Sequence, residues 1–469
     1  MKTRLLLLAG LCAAIGELPA QSGERPPVGA PRPFTPPRVQ ERTLDNGMRV
    51  ALVPYGATPT ARVELVIRTG RAYEDVEEAG LAQLLGDYLL EGTTMRDAGA
   101  IAERLAALGT VGGGLSVIVG THETLVVGEV LAESAPPLVR LIAEIVTAPA
   151  FDAPVLERLK TNYRRRLQSQ TTSAAAIAAA RGNTILFPGD AADRYASDDG
   201  LRSLSIADVR AHHARHMVAR RARLYVAGMF DAAAVGVAVV EAFTGMPPGT
   251  AAPPLRPARS GIAVGDEGAT PSVHLIDRPG AAQSRLQVSM PIVDQTHPDH
   301  LALNELSSLM GAVQTSRIIA NVRERRGYSY NVSARILRRP AATTWTVQAD
   351  VNRDVTGAAL REILGELDRL PENPPTDEEL GGFQRFMAGG MMAEMSTSRG
   401  ILDYLRFLDL YGSDLRYLAT LVQSIFAITP AELLRVYARY MQPGRRVIVV
   451  VGDAASVEPQ LRGIARILQ

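Results

Sequence analysis

The residues 80–93, GLAQLLGDYLLEGT, have the frame of a metal-binding helix. Leu81, Leu84, Leu85, Tyr88 and Leu89 recur with the helical period. On such a helix Gln83 and Asp87 lie four apart on one face, with Gly86 immediately before Asp87. This is the spacing of the inverted motif H-x-x-E-H, in which two His bind zinc and the Glu faces the metal-bound water as general base. All three functional positions are replaced here, by an amide, a glycine and a single carboxylate. Asp87 alone could hold a hard cation weakly, and its neighbours offer no help.

Other histidines are candidate replacement ligands. His212, His213 and His216 fall on one predicted helix, with His212 and His216 four apart. Their counterparts in the second half of the chain are Val436, Tyr437 and Tyr440, which points to packing, and a third ligand is missing. His122 stands alone between strands. In His297-Pro298-Asp299-His300 the sequence predicts Asp299 as the N-terminal cap of a helix over 301–309. The glycine run 112–114 lacks the Lys-Ser/Thr of a phosphate loop and precedes a strand, so it reads as a turn. The segment 316–334, SRIIANVRERRGYSYNVSA, reads as a helix capped by Gly327 and followed by a strand. Its basic last turn (Arg323, Arg325, Arg326) suits the negative end of the helix dipole.

The elements that must position these residues follow from the rest of the chain. Its 469 residues suit two domains of about 200 residues each. The balance of 50 basic against 49 acidic residues gives no reason to expect nucleic acid as a partner. Lys2, Arg4, the apolar run 5–15 and Leu18-Pro19-Ala20 resemble a secretory signal over 1–20, predicting an exported, periplasmic or secreted protein with no membrane span. The single cysteine, Cys12, lies inside that stretch, so no disulfide is expected in the mature chain. A Pro-rich leader occupies 21–38. The pattern predicts a hairpin over 43–53, a half-buried strand over 61–68, a helix over 98–108, strands over 115–120 and 123–130, and helices over 136–146, 154–172 and 173–186.

A second Pro-rich stretch, 246–262, reads as a linker between domains spanning 39–245 and 263–469. Residues 205–217 align with 429–441; each opens on a hydroxyl residue three before a carboxylate and runs into an apolar strand, 223–228 and 447–452. The offset stays at about 224 residues, the size of one two-layer α/β domain. The chain is an internal duplication.

The flanks Gly-Leu-Ala and Leu-x-x-Gly-Thr of the 80–93 helix resemble the pitrilysin-like zinc peptidases, the family that includes insulysin and the mitochondrial processing peptidase. So do 186–189 with Tyr195, and the 316–334 segment, which resembles the family's R-E-x-x-G-x-x-Y signature. The resemblance extends over roughly 43–468. It implies an α+β fold of two tandem homologous two-layer sandwich domains, with antiparallel or mixed sheets plus helices, facing across a cleft. It implies a third zinc ligand, a Glu about 75 residues beyond the helix; the matching positions Asn162, Tyr163 and Arg164 are not carboxylates. No zinc is therefore expected on this chain.

In active members an Arg and a Tyr of the second half reach the substrate at zinc, and carried over they are Arg323 and Tyr330. A guanidinium can grip main-chain carbonyls, and a neutral phenol can donate to an oxyanion. Tyr328 competes for the phenol role, since strand alternation would send it to the same face. The resemblance thus predicts a non-catalytic subunit of a heterodimer, not an autonomous peptidase, paired with a zinc-bearing homologue and acting on peptides. The alternative is a purely structural or peptide-binding homologue, for which the family's respiratory-complex core proteins are a precedent.

Overall fold

In a computed structural model, residues 34–188, 195–254, 272–339 and 343–468 are described. The signal-like stretch 1–20, most of the leader, part of the 246–262 linker and Gly189 lie outside the described residues.

The first half carries β1 (Gln40–Thr43), β2 (Arg49–Pro54), β3 (Thr60–Ile67), α1 (Leu81–Tyr88), α2 (Ala98–Ala107), β4 (Ser116–Val119) and β5 (Thr124–Leu131). These are followed by α3 (Ala135–Thr147), α4 (Ala153–Thr172), α5 (Ala174–Leu186), α6 (Asp198–Ser203), α7 (Ile206–His216), β6 (Ala222–Gly228) and α8 (Ala232–Phe243). The second half carries β7 (Ser272–Asp277), β8 (Gln283–Pro291), α9 (His300–Ser307), β9 (Ser333–Leu337), β10 (Thr344–Asn352) and α10 (Thr356–Asp368). It ends with α11 (Asp377–Met395), α12 (Ser398–Tyr411), α13 (Leu415–Phe426), α14 (Pro430–Tyr440), β11 (Val447–Gly452), α15 (Ala454–Leu461) and β12 (Arg466–Leu468).

The two six-stranded sheets run β1-β2-β6-β3-β5-β4 and β12-β7-β11-β8-β10-β9. In each, the second and third strands from one edge pair in parallel, β2 with β6 and β7 with β11. The next three pairings toward the far edge are antiparallel in both sheets. The expected two-layer α+β duplication is thus present. The halves differ at one edge: β1 arrives by a hairpin antiparallel to β2, while β12 comes from the end of the chain parallel to β7. α7 and α14 share their start but not the full capping box. Ser205 and Asp208 exchange both bonds, whereas the Glu432 carboxylate turns to Arg435 and leaves only Thr429 as acceptor.

Each half lends a helix to the other's sheet. α5 packs on β11 and β8, and α12 packs on β6 and β3. The run of alanines in α5 permits close approach: a Cβ at Gly182 would lie 2.8 Å from Gln287 Nε2. Ala178, Leu186 and Phe187 bury against Val447, Val449 and Val451. On the other side Ile401, Leu402, Leu405 and Leu408 cover Ala51, Val53, Val66 and Ala227. Central strands β6 and β11 are therefore buried on both faces, as their continuous apolar runs require.

This exchange corrects the reading of β3 as half-buried. Its polar positions face protein: Glu64 is 0% exposed and held by Arg62 and by Arg406 of α12. Nearby, Asp409 of α12 accepts from Arg223 and from the Tyr225 hydroxyl and pairs with Arg49. Among the described residues no single helix is long and apolar enough to cross a membrane.

Candidate functional site

The segment that carries Arg323 begins as a helical turn, Arg317–Ile319, and widens into π geometry over Ala320–Arg325. Such widened turns recur at functional positions because they re-aim side chains that a regular helix would stack. Three anchors fix it to α10. Buried Asn321 donates to Glu362 at 2.8 Å and Glu366 at 2.6 Å, Arg325 pairs with Glu366 and Arg326 with Glu362. Arg325 and Arg326 are thus structural, and Arg323 is not part of that lattice. Its Nε meets only the exposed neighbour Glu324, and an Nη donates to Gln314 at 3.0 Å.

Gly327 ends the helix at φ +65°, as the sequence predicts; its N–H donates to Arg323 O and that of Tyr328 to Val322 O. The predicted strand does not follow at once. Residues 328–332 are irregular and β9 starts at Ser333, so alternation does not govern the two tyrosines. Ser329 is buried and donates to Asp350 O at 2.8 Å, pinning the turn to β10. Tyr328 leans on the second core, whereas Tyr330 is 78% exposed. The guanidinium carbon of Arg323 sits 4.4 Å from the centroid of the Tyr330 ring. Such a stack contributes about 0.5–1 kcal/mol at an exposed site. The structure brings together the two residues predicted as a pair and separates Tyr328 from them.

Helix α1 is built differently from a metal site. The buried Glu74 caps it in place of an N-cap side chain, accepting from Gly80 N at 3.1 Å and Ala82 N at 2.6 Å. Burial raises the Glu74 carboxyl above its ordinary range, against the pull of those two N–H groups. On its outer face Gln83 donates to Asp87 at 3.0 Å, and Arg166 of α4 donates to the other Asp87 oxygen. A side chain at Gly86 has no room, because a Cβ would lie 2.4 Å from Val119 Cγ2 on β4.

Of the positions aligned with the third ligand, Tyr163 packs against Gly80, Asn162 accepts from Arg165 and Arg164 donates to Asp198. Arg166, the residue that reaches Asp87, lies outside the aligned positions; it stacks over Tyr163 at 5.6 Å. A cation one helical turn beyond Asn162 was the available signal for it. These residues do not fit a zinc ion: the lone carboxylate is neutralised by a guanidinium and the space beside it is filled. Among the described residues no group of three His, Cys, Asp or Glu side chains is placed to hold a metal.

His212, His213 and His216 take structural places. His212 and His216 are buried with ring centroids 4.3 Å apart, and His216 Nδ1 meets Arg221 at 2.9 Å. Burial, reinforced by Arg215, Arg221 and mutual repulsion, pushes His212 down to about 3; burial and the same arginines push His216 to about 4. His213 bonds Val146 O. Asp299 stands at the N-cap of α9, but its side chain does not cap it. The carboxylate accepts from Arg435, Arg439 and the Tyr440 hydroxyl, because α14 packs across that end of α9.

The duplicated sheets and the 80–93 helix frame define a peptidase-type fold shared by a known family. Residues 49–186 match Insulinase (Peptidase family M16), and residues 203–385 match Peptidase M16 inactive domain. The chain belongs to the M16 peptidase family. It is similar to an uncharacterized zinc protease of Mycobacterium tuberculosis, 23% identical over 427 residues that cover 90% of this chain and 95% of that protein. One from Streptomyces coelicolor is 21% identical over 418 residues, 88% of this chain and 89% of its own. Among solved structures, a peptidase M16 inactive domain from Pseudomonas fluorescens gives a TM-score of 0.79 at 21% identity, covering 88% of this chain and 98% of its own. A protease from Helicobacter pylori gives 0.79 at 16% identity, covering 88% and 99%. The expected family is borne out.

Proposed function

We propose that this chain is an exported, non-catalytic subunit of a heterodimeric M16 peptidase, supplying Arg323 and Tyr330 to the zinc site of a homologous partner for peptide hydrolysis. The observation that carries this reading is the exposed Arg323–Tyr330 stack in a chain whose own α1 is closed by Arg166 and Val119. A purely structural role would not require an exposed tyrosine aimed outward beside an arginine that the α10 anchors leave out. Export rests on the sequence of residues 1–20.

In this reading zinc held by the partner would supply a Lewis acid for the scissile carbonyl. Tyr330 donates its O–H to the oxygen as that carbonyl becomes tetrahedral. Arg323 presents its remaining N–H groups to substrate main-chain carbonyls, with the Tyr330 ring and Gln314 limiting the orientations it can take. The test is co-expression with a zinc-bearing M16 homologue and a peptide-cleavage assay of wild type and Tyr330→Phe. Loss of cleavage with an intact dimer supports the shared site. Undiminished cleavage leaves the structural or peptide-binding reading.

A further inference from the structure

A cavity of about 760 Å³ lies between α9, β9, α11, α12 and α13, with Glu123 of the β4–β5 turn at its edge. Its size suits a small molecule or one or two amino-acid residues. Its lining divides by chemistry. Tyr404, Phe407, Tyr411 and Tyr417, with Met387 and Met391, supply an apolar and largely aromatic part. The polar part holds Arg335, Arg338, His300 and Ser307, together with Glu394 and with Glu123 and Asp403, whose carboxylates pair with Arg406.

Two of these polar groups are incomplete. His300 and Ser307 are each 4% exposed, yet His300 Nε2 and Ser307 Oγ have no hydrogen-bond partner among the described residues. The other His300 nitrogen is used, meeting Val293 O at 3.2 Å. Buried polar atoms without partners are unfavourable and mark places that a ligand can complete. The charges are uneven as well. Arg338 donates to Asn304 Oδ1 at 3.1 Å, a neutral acceptor, and no carboxylate among the described residues pairs with Arg338 or Arg335. Arg406, in the same cavity, is by contrast already taken by Glu64, Glu123 and Asp403. Burial raises the phenols of Tyr404, Tyr411 and Tyr417 while the charge of Arg338 pulls each one back, so that cation acts on all three rings.

We propose that this cavity is a binding site for a monocarboxylate with an aromatic or aliphatic body. The carboxylate would sit on Arg338 with Arg335 beside it, His300 Nε2 and Ser307 Oγ would complete their hydrogen bonds, and the body would lie among the tyrosines. Glu394, also in the lining, disfavours a second anionic group on the ligand. The same chemistry is offered by a free arylalkanoic acid and by the C-terminus of a peptide ending in an apolar residue. The site is independent of the shared-zinc reading and needs no partner chain.

The experiment is calorimetric titration of the full chain with 3-phenylpropionate, N-acetyl-Leu-Phe and its C-terminal amide. Saturable binding of at least one acid is expected, weakened at least about tenfold by amidation and by Arg338→Gln. Arg325→Gln, on the α10 side, should bind as wild type does. Tight binding of phenylpropionate identifies small acids as the source; binding of the peptide acid alone identifies peptide ends. If Arg338→Gln shifts the thermal midpoint, Arg335→Gln replaces it. No binding of either acid at millimolar concentration, equal binding of the amide, or binding indifferent to both arginine variants would overturn the proposal.

Discussion

Arg166 of α4 donates to the Asp87 carboxylate of α1, placing a fixed guanidinium on the face that Gln83 and Asp87 share. On the same helix Val119 rests against the bare backbone of Gly86. Together they make α1 a packing element under the edge strand β4, and restoring ligand residues alone should not restore a site. The triple variant Gln83→His, Gly86→Glu, Asp87→His is expected to retain substoichiometric zinc after dialysis. Gly86→Glu alone should destabilise by about 1–3 kcal/mol through overpacking. Metal analysis and denaturant unfolding check both, and Val119→Ala in the Gly86→Glu background should recover part of the loss.

The two tyrosines of the 328–330 turn should separate cleanly. Tyr330→Phe keeps the ring under Arg323 and should leave stability within about 0.5 kcal/mol, since the residue is exposed. In a complex with a zinc-bearing partner it should lower kcat by about 10²–10³-fold, the effect of losing one oxyanion donor. Tyr328→Phe should leave kcat unchanged, while Tyr328→Ala should destabilise because its ring packs on the second core. An equal loss of kcat in both Phe variants would contradict the assignment of roles.

The halves should unfold together, because α12 ties into the first sheet by charge as well as by apolar contact. Asp409 serves the nearly buried Arg223, the Tyr225 hydroxyl and Arg49 at once. Burial and Asp409 itself hold the Tyr225 phenol above its ordinary range, so it acts as a donor throughout. Asp409→Ala leaves Arg223 with Glu41 alone, and a loss of about 2–4 kcal/mol is expected. Unfolding followed by Trp345 fluorescence, which reports the second core, should shift with the global circular-dichroism transition. A shift in one probe only would show that the halves unfold separately.

How much of this was legible in the sequence differs by link. Periodicity places α2, α3, α4, α5 and α7 within a residue or two, whereas α1 stops at Tyr88, five residues short of the end of the 80–93 frame. The duplication was visible at α7–β6 and α14–β11, where the offset is constant. The helix exchange was not, since period and propensity say which face is apolar and not whose sheet it meets. The alternation of β3 therefore read as a solvent face when Arg406 actually covers Glu64. Arg323 and Tyr330 were found by motif, but their 4.4 Å stack depends on the π turn and on Ser329 bonding β10, neither of which has a local signature. Asp299 kept the N-cap position its residue type suggests and lost the cap bond to three donors, Arg435 and Arg439 among them, from a helix well over a hundred positions away.

Acid should destabilise the first half through His212 and His216. Burial lowers both pKa values, to about 3 and about 4, so the unfolded chain binds more protons than the folded one below the ordinary histidine value near 6.5. Stability contributed by the neutral pair is present above that value. It is lost as pH falls toward 4, at up to about 1.4 kcal/mol per histidine per pH unit. Their counterparts Val436 and Tyr440 do not titrate in this range, which suggests the control. His212→Val with His216→Tyr should flatten the acid limb between pH 6.5 and 4 while leaving stability at pH 8 close to wild type.

Glu305 predicts the opposite limb. It is 0% exposed with both oxygens unpartnered among the described residues, and burial pushes its pKa up to about 7. Folding then favours the protonated form, and stability is lost as pH rises from the ordinary carboxylate range through 7. Glu305→Gln should be nearly neutral at pH 5 and stabilise on the order of 2–3 kcal/mol at pH 8. Urea midpoints measured from pH 4 to pH 8 in wild type and both sets of variants separate the two effects. A Glu305→Gln curve parallel to wild type across that range would mean that Glu305 gains a partner in solution.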